Sequence, residues 1–153
     1  MTYNLNRLSN CSWVEYTRSS TQTISDGSII TFDTKRTTGG DAISLNSSTG
    51  VLSLSSSRRY WVQASIAVER SSNGDFKFVW EQSDGTALSE SDGNFPAFNK
   101  FVASLTSKPV NNHSYIASLM VDSPTIQYRL KAETVPTNST LLSFTHLFII
   151  ELE

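Results

Sequence analysis

With 153 residues, the chain suits one domain with a sizeable core. Its net charge of −2 excludes the strongly basic footprint of a nucleic-acid binder and the acid-rich tail of a solvating segment. Charged residues make up only 17% and hydrophobic ones 38%; Ser and Thr fill the difference, a composition that points to an all-β protein.

The single cysteine, Cys11, excludes an intrachain disulfide and is expected to pack as a small, at least half-buried residue. Residues 1–10 lack the basic and apolar regions of a signal peptide, and no apolar run approaches a membrane span. The expectation is a soluble protein made in a cytosol, with no membrane partner. Sequons at Asn10, Asn46, Asn112 and Asn138 are what a Ser/Thr-rich chain produces by chance.

Residues 1–21 are polar and irregular and read as an N-terminal arm, with Tyr3, Leu5, Leu8, Trp13 and Tyr16 spaced among polar neighbours. Residues 22–153 then read almost entirely with a period of two. Ile30 and Phe32 alternate with Thr31 and Asp33, and 51–54 is a short run after Thr49-Gly50. Tyr60, Val62, Ala64, Ile66 and Val68 face one way, opposed by Arg59, Trp61, Gln63, Ser65 and Glu69. Asn73-Gly74 predicts a tight hairpin into Phe76, Phe78 and Trp80, which oppose Lys77, Val79 and Glu81.

Residues 95–105 carry the one helical spacing, Phe98, Phe101, Val102 and Leu105, which Pro96 limits to a short helix or an irregular loop. Tyr115, Ala117, Leu119 and Val121 form the next inward row. Ile126, Tyr128, Leu130 and Ala132 then oppose Gln127, Arg129, Lys131 and Glu133. Asp-Gly and Gly-Gly pairs punctuate the runs, and Pro109, Pro124 and Pro136 fall between them. Eight to ten short strands predict a β-sandwich or jelly roll.

The last run, 141–152, is apolar on both faces. Leu142, Phe144, His146, Phe148, Ile150 and Leu152 alternate with Leu141, Ser143, Thr145, Leu147, Ile149 and Glu151. A strand wet on one side would leave a large apolar patch in water. One face therefore belongs to the domain's own core and the other to a second copy of the chain.

Four segments, in order, resemble a known pattern: 27–33 (GSIITFD), 48–54 (STGVLSL), 59–64 (RYWVQA) and 142–150 (LSFTHLFII). Together they resemble the C1q/TNF-like jelly roll. The chain departs from that pattern at Arg59 and His146, where it has glycine, and at 123–126, where a Gly-Asp turn becomes Ser-Pro-Thr-Ile. The resemblance implies an antiparallel two-sheet sandwich that assembles as a homotrimer, with its last strand near the three-fold axis. The implied trimer contacts are Leu142, Phe144, His146, Leu147, Phe148, Ile149 and Ile150.

A small disulfide-free trimer of this kind resembles bacteriophage capsid decoration (cement) and head-fibre proteins. That implies a non-enzymatic virion structural protein on the capsid surface, with itself and the major capsid protein or other virion proteins as partners. The arm residues Tyr3, Leu5, Leu8, Trp13 and Tyr16 would contact the capsid. The alternative is a tail-fibre receptor-binding tip that grips a host glycan or protein through Trp61 or the 84–100 loop.

The chain carries no constellation for catalysis. His113 and His146 lie in different segments, Cys11 has no histidine beside it, and no serine sits in a nucleophile elbow. No phosphate loop, dinucleotide fingerprint, zinc spacing or EF-hand loop occurs, so no cofactor and no metal are expected. Asp84, Glu90 and Asp92 come nearest to a calcium loop but read as two Asp-Gly turns. Arg58 and Arg59 read as surface charge or as inter-subunit partners of Glu151 or Glu153, and Phe95, Pro96 and Phe98 as a cap on the open end of the sandwich.

Overall fold

A computed structural model describes residues 11–70, 72, 74–88, 94–98, 101–105 and 113–152, with backbone alone at 37, 94–98, 101–105 and 113–115. These residues form thirteen strands: β1 (Trp13–Thr17), β2 (Gln22–Ile24), β3 (Thr34–Gly39), β4 (Ile43–Leu45), β5 (Leu52–Leu54), β6 (Arg59–Arg70), β7 (Gly74–Gln82), β8 (Asn94–Phe98), β9 (Phe101–Leu105), β10 (His113–Asp122), β11 (Tyr128–Thr134), β12 (Ser139–Leu141) and β13 (His146–Leu152).

Two antiparallel sheets face each other. In the first, the twelve-residue β6 is the spine. One edge of β6 carries β10, which in turn carries β8. The other edge carries β13 along Arg59–Ser65 and β12 along Val68–Arg70. This sheet continues outward as β13–β1–β3 and as β12–β2. The second sheet runs β4–β5–β11–β7–β9.

The core between them follows the alternation in the sequence. Tyr60, Val62, Ala64, Ile66 and Val68 of β6 are all fully buried, and they meet Phe76, Phe78 and Trp80 of β7 and Tyr128, Leu130 and Ala132 of β11. Trp80 ties the sheets together by donating its indole N–H to the carbonyl of Ala117 on β10, 3.3 Å away.

Four expectations are corrected. The arm does not extend to residue 21, because Trp13–Thr17 is a strand laid between β13 and β3, with Val14 and Tyr16 buried in the core. Its period of two is hidden because one of its outward residues is an aromatic. Residues 94–98 and 101–105 are strands rather than a helix; β8 lies at a sheet edge, where Pro96 is tolerated. Asn73-Gly74 does not close a hairpin between paired strands, since β6 and β7 lie in different sheets. Ile30 and Phe32 are core residues without being a regular strand. Their segment zips onto β11, with the Ile30 N–H bonding the Leu130 carbonyl and the Ala132 N–H bonding that of Ser28.

Gly50 follows that segment at φ +69°, and a Cβ there would stand 2.7 Å from the Ile30 carbonyl oxygen. Both the left-handed backbone and the close approach require glycine at this position.

Candidate functional site

Registers across the first sheet place its outward side chains in rows. One row crosses from edge to edge: Gly39 on β3 stands opposite Trp13 on β1, Trp13 opposite Ile150 on β13, Ile150 opposite Trp61 on β6, Trp61 opposite Met120 on β10, and Met120 opposite the Phe95 position on β8. The next row reads Glu15, Phe148, Gln63 and Ser118; the one beyond it reads Thr17, His146, Ser65 and Ile116. Strands stand about 4.8 Å apart, so the apolar row spans roughly 24 Å.

Among the described residues, four large hydrophobic side chains are exposed: Trp13 at 38%, Phe148 at 40%, Ile116 at 51% and Phe144 at 51%. Three of them lie on this outer face, and Phe144 lies in the turn that leads into β13. Patches of this kind mark contact with another macromolecule.

The second sheet's outer face is different. It is laced with charge: Lys77 and Glu81 from β7, and Arg129, Lys131 and Glu133 from β11. Glu81 is buried, because the 83–88 turn folds back to bridge it through Ala87. Its two oxygens are taken by Arg129 at 2.7 Å and by Lys131. Lys77 pairs with Glu133. Among the described side chains, the large exposed hydrophobics lie on or beside the first sheet.

Charges frame that apolar row. On one side of it, along the strands, Arg58 holds both oxygens of Glu151 at 2.7–2.8 Å, and Glu151 also accepts the Ser12 N–H at 3.0 Å. Burial alone would raise the Glu151 carboxyl, but the Ser12 N–H and the Arg58 guanidinium outweigh it and hold that carboxyl below its ordinary value. Arg59 pairs with Asp122 at 2.9 Å. Both arginines thus pair within their own chain as partly exposed surface charge, one of the two roles expected for them. On the other side His146 Nδ1 lies 3.2 Å from Glu15 Oε1, which places that histidine in a local pair on the outer face.

The expected contact residues divide. Phe144, His146, Phe148 and Ile150 stand on or beside the outer face. Leu147 and Ile149 do not: their parity along β13 turns them between the sheets, into the chain's own core, while Leu142, in the turn before β13, is buried with its N–H on the Ala67 carbonyl. Of the expected capsid-contact residues, Tyr16 is in the core with its hydroxyl held by the Leu45 backbone, and Trp13 belongs to the apolar row. Tyr3, Leu5 and Leu8 lie outside the described residues, as do Glu90 and Asp92. No cluster of three metal-ligating side chains occurs among the described residues. Asp84 caps its own turn by accepting the Thr86 N–H at 2.8 Å.

Sequence reading missed Gly39, Ile116 and Met120 as part of one face with Trp13. Each residue shows only a local parity. The register that aligns four distant strands is set by pairing, which a single sequence does not display.

The two-sheet fold is that of the C1q/TNF-like jelly roll. No protein-family model matches the sequence, and no curated protein matches it. Solved structures show the likeness. Murine APRIL superposes with a TM-score of 0.61 at 9% identity, covering 94% of this chain and 100% of that one. Eiger TNF from S. frugiperda gives 0.57 at 10% identity, with 94% and 92% covered. The globular domain of zebrafish complement 1qA gives 0.52 at 11% identity, with 92% and 94% covered.

Proposed function

We propose that the protein works as a non-enzymatic homotrimer and that the trimer is a virion structural component, a bacteriophage capsid decoration (cement) or head-fibre protein. The observation that carries self-association is the asymmetry between the two outer faces: among the described side chains, one wears a ladder of paired charges, the other a half-exposed apolar row from Trp13 to Met120. Covering that row with two further copies removes apolar area from water at about 25 cal/mol per Å². Three copies rather than two follow from the resemblance to a class of compact trimers.

Several features support the virion reading. The chain reaches a fully buried core with one cysteine and no disulfide. Its binding surface suits a closed symmetric assembly, where many modest contacts repeat. The expected activity is clamping of neighbouring capsid subunits.

Purified protein mixed with undecorated capsids tests this. The expected result is saturable binding at symmetric sites and a higher temperature of capsid disruption. Binding to whole host cells with no binding to capsids would contradict it and favour a receptor tip.

A further inference from the structure

We propose that Gly39 is a positioning residue for self-association: lacking a Cβ, it forms the seat on which the Trp13 indole rests at the edge of the apolar row. The inference depends on the outer face of the first sheet being the contact between copies of this chain. A Cβ at position 39 would stand 2.5 Å from Trp13 Nε1 and 2.9 Å from its Cδ1. Those distances are below any ordinary contact, so the indole lies directly against the β3 backbone.

The neighbouring glycine shows what is special here. Gly40 has φ +71°, a left-handed conformation that itself favours glycine. Gly39 has no such conformation. Its backbone is that of an ordinary strand residue, and glycine inside a strand weakens it. The rest of β3 is Thr34, Lys35, Arg36, Thr37 and Thr38, residues that an exposed edge strand tolerates. Nothing in the backbone calls for glycine at 39; the ring of Trp13 does.

The seat matters because Trp13 is both anchored and exposed. The indole touches β3 at Gly39 and still leaves 38% of its residue surface in water. Opposite it stands Ile150, then Trp61 and Met120. A side chain at 39 pushes the indole off the strand and out of line with that row, where a second copy of the chain must fit. Aromatic anchors of this type carry a disproportionate share of interface energy. Gly39 therefore sets the geometry of the contact by holding Trp13, without itself having to touch the second copy.

The test is a double-mutant cycle read by sedimentation over a dilution series, in a fixed sub-denaturing urea concentration, on the full chain. The four proteins are the wild type, Gly39→Ala, Trp13→Ala and the double variant. Gly39→Ala is expected to move the dissociation midpoint to a concentration about tenfold higher. Trp13→Ala should move it at least as far, and the double variant no further than Trp13→Ala alone. Urea denaturation of the dissociated chains supplies the fold readout: with the indole gone, Ala at 39 should leave the Trp13→Ala protein at least as stable.

Independent, multiplying effects on assembly would overturn the proposal. So would wild-type assembly of Gly39→Ala, or a double variant less stable to urea than Trp13→Ala. A wild type that sediments as a single chain at every dilution overturns the self-association reading itself, and is told apart from these outcomes by the wild-type trace alone.

Discussion

Glu151 and Asp33 show how single residues hold this sandwich at its margins. Glu151 joins the segment before β1 to the end of β13, through the Ser12 N–H, and to the turn before β6, through Arg58. Asp33 accepts the Ser19 N–H at 2.7 Å and the Ser19 hydroxyl at 2.9 Å, next to a buried Arg18 that grips Thr31. Burial would raise the Asp33 carboxyl; the Ser19 and Thr34 hydrogen bonds and the Arg18 charge outweigh it and lower it instead. Both carboxyls are thus depressed in the folded chain from ordinary values of 4.5 and 3.8.

A depressed carboxyl stabilises the fold above its unfolded value, and that contribution disappears as pH falls through the folded one. Urea midpoints should therefore drop on acidification from about pH 5 to about pH 2. In an Asp33→Asn, Glu151→Gln variant the decline should be shallower. Equal slopes in the two proteins would show that these carboxyls do not contribute.

At the scale of one element, β13 carries the account. Its two faces do different work: Leu147 and Ile149 complete the core, while His146, Phe148 and Ile150 face away from it. Ile149→Ala should cost the fold about 2–5 kcal/mol in urea denaturation, through lost burial and the cavity left behind. Phe148→Ser should leave the dissociated chain within about 1 kcal/mol of wild type, because 40% of Phe148 already reaches water. The same change should shift assembly toward single chains in sedimentation. A core-sized loss at Phe148 with unchanged assembly would contradict the division.

How far the sequence reveals these elements depends on what each strand buries. β6, β7, β10 and β11 lie over the core with one face inward, so their alternation is plain and their buried rows match it. β3 contains no apolar side chain; only its ladder with β1 makes it a strand. β8 and β9 carry a spacing of aromatics that mimics a helical period. For the outer face, the apolar excess of 141–152 is visible in the sequence. The parity that sends Leu147 and Ile149 inward, and the register that aligns Trp13 with Trp61, are set by tertiary pairing.

For the whole molecule, the contrast between the sheets is the central point. On the second sheet the outward charges neutralise one another: Glu81 between Arg129 and Lys131, and Lys77 with Glu133. Among its described side chains, that surface is covered by paired charge. On the first sheet the outward row of Trp13, Ile150, Trp61 and Met120 is not, and Ile116, Phe148 and Phe144 extend it. A closed assembly around this face leaves the charged sheets outside and hides the apolar ones. Such a particle suits a structural role in which the other surfaces meet neighbouring proteins.

The most direct measurement is the mass of the purified chain in solution by multi-angle light scattering. The account predicts a particle three times the 16.9 kDa chain mass, held across a wide dilution range. A lone 16.9 kDa particle at every concentration would contradict it.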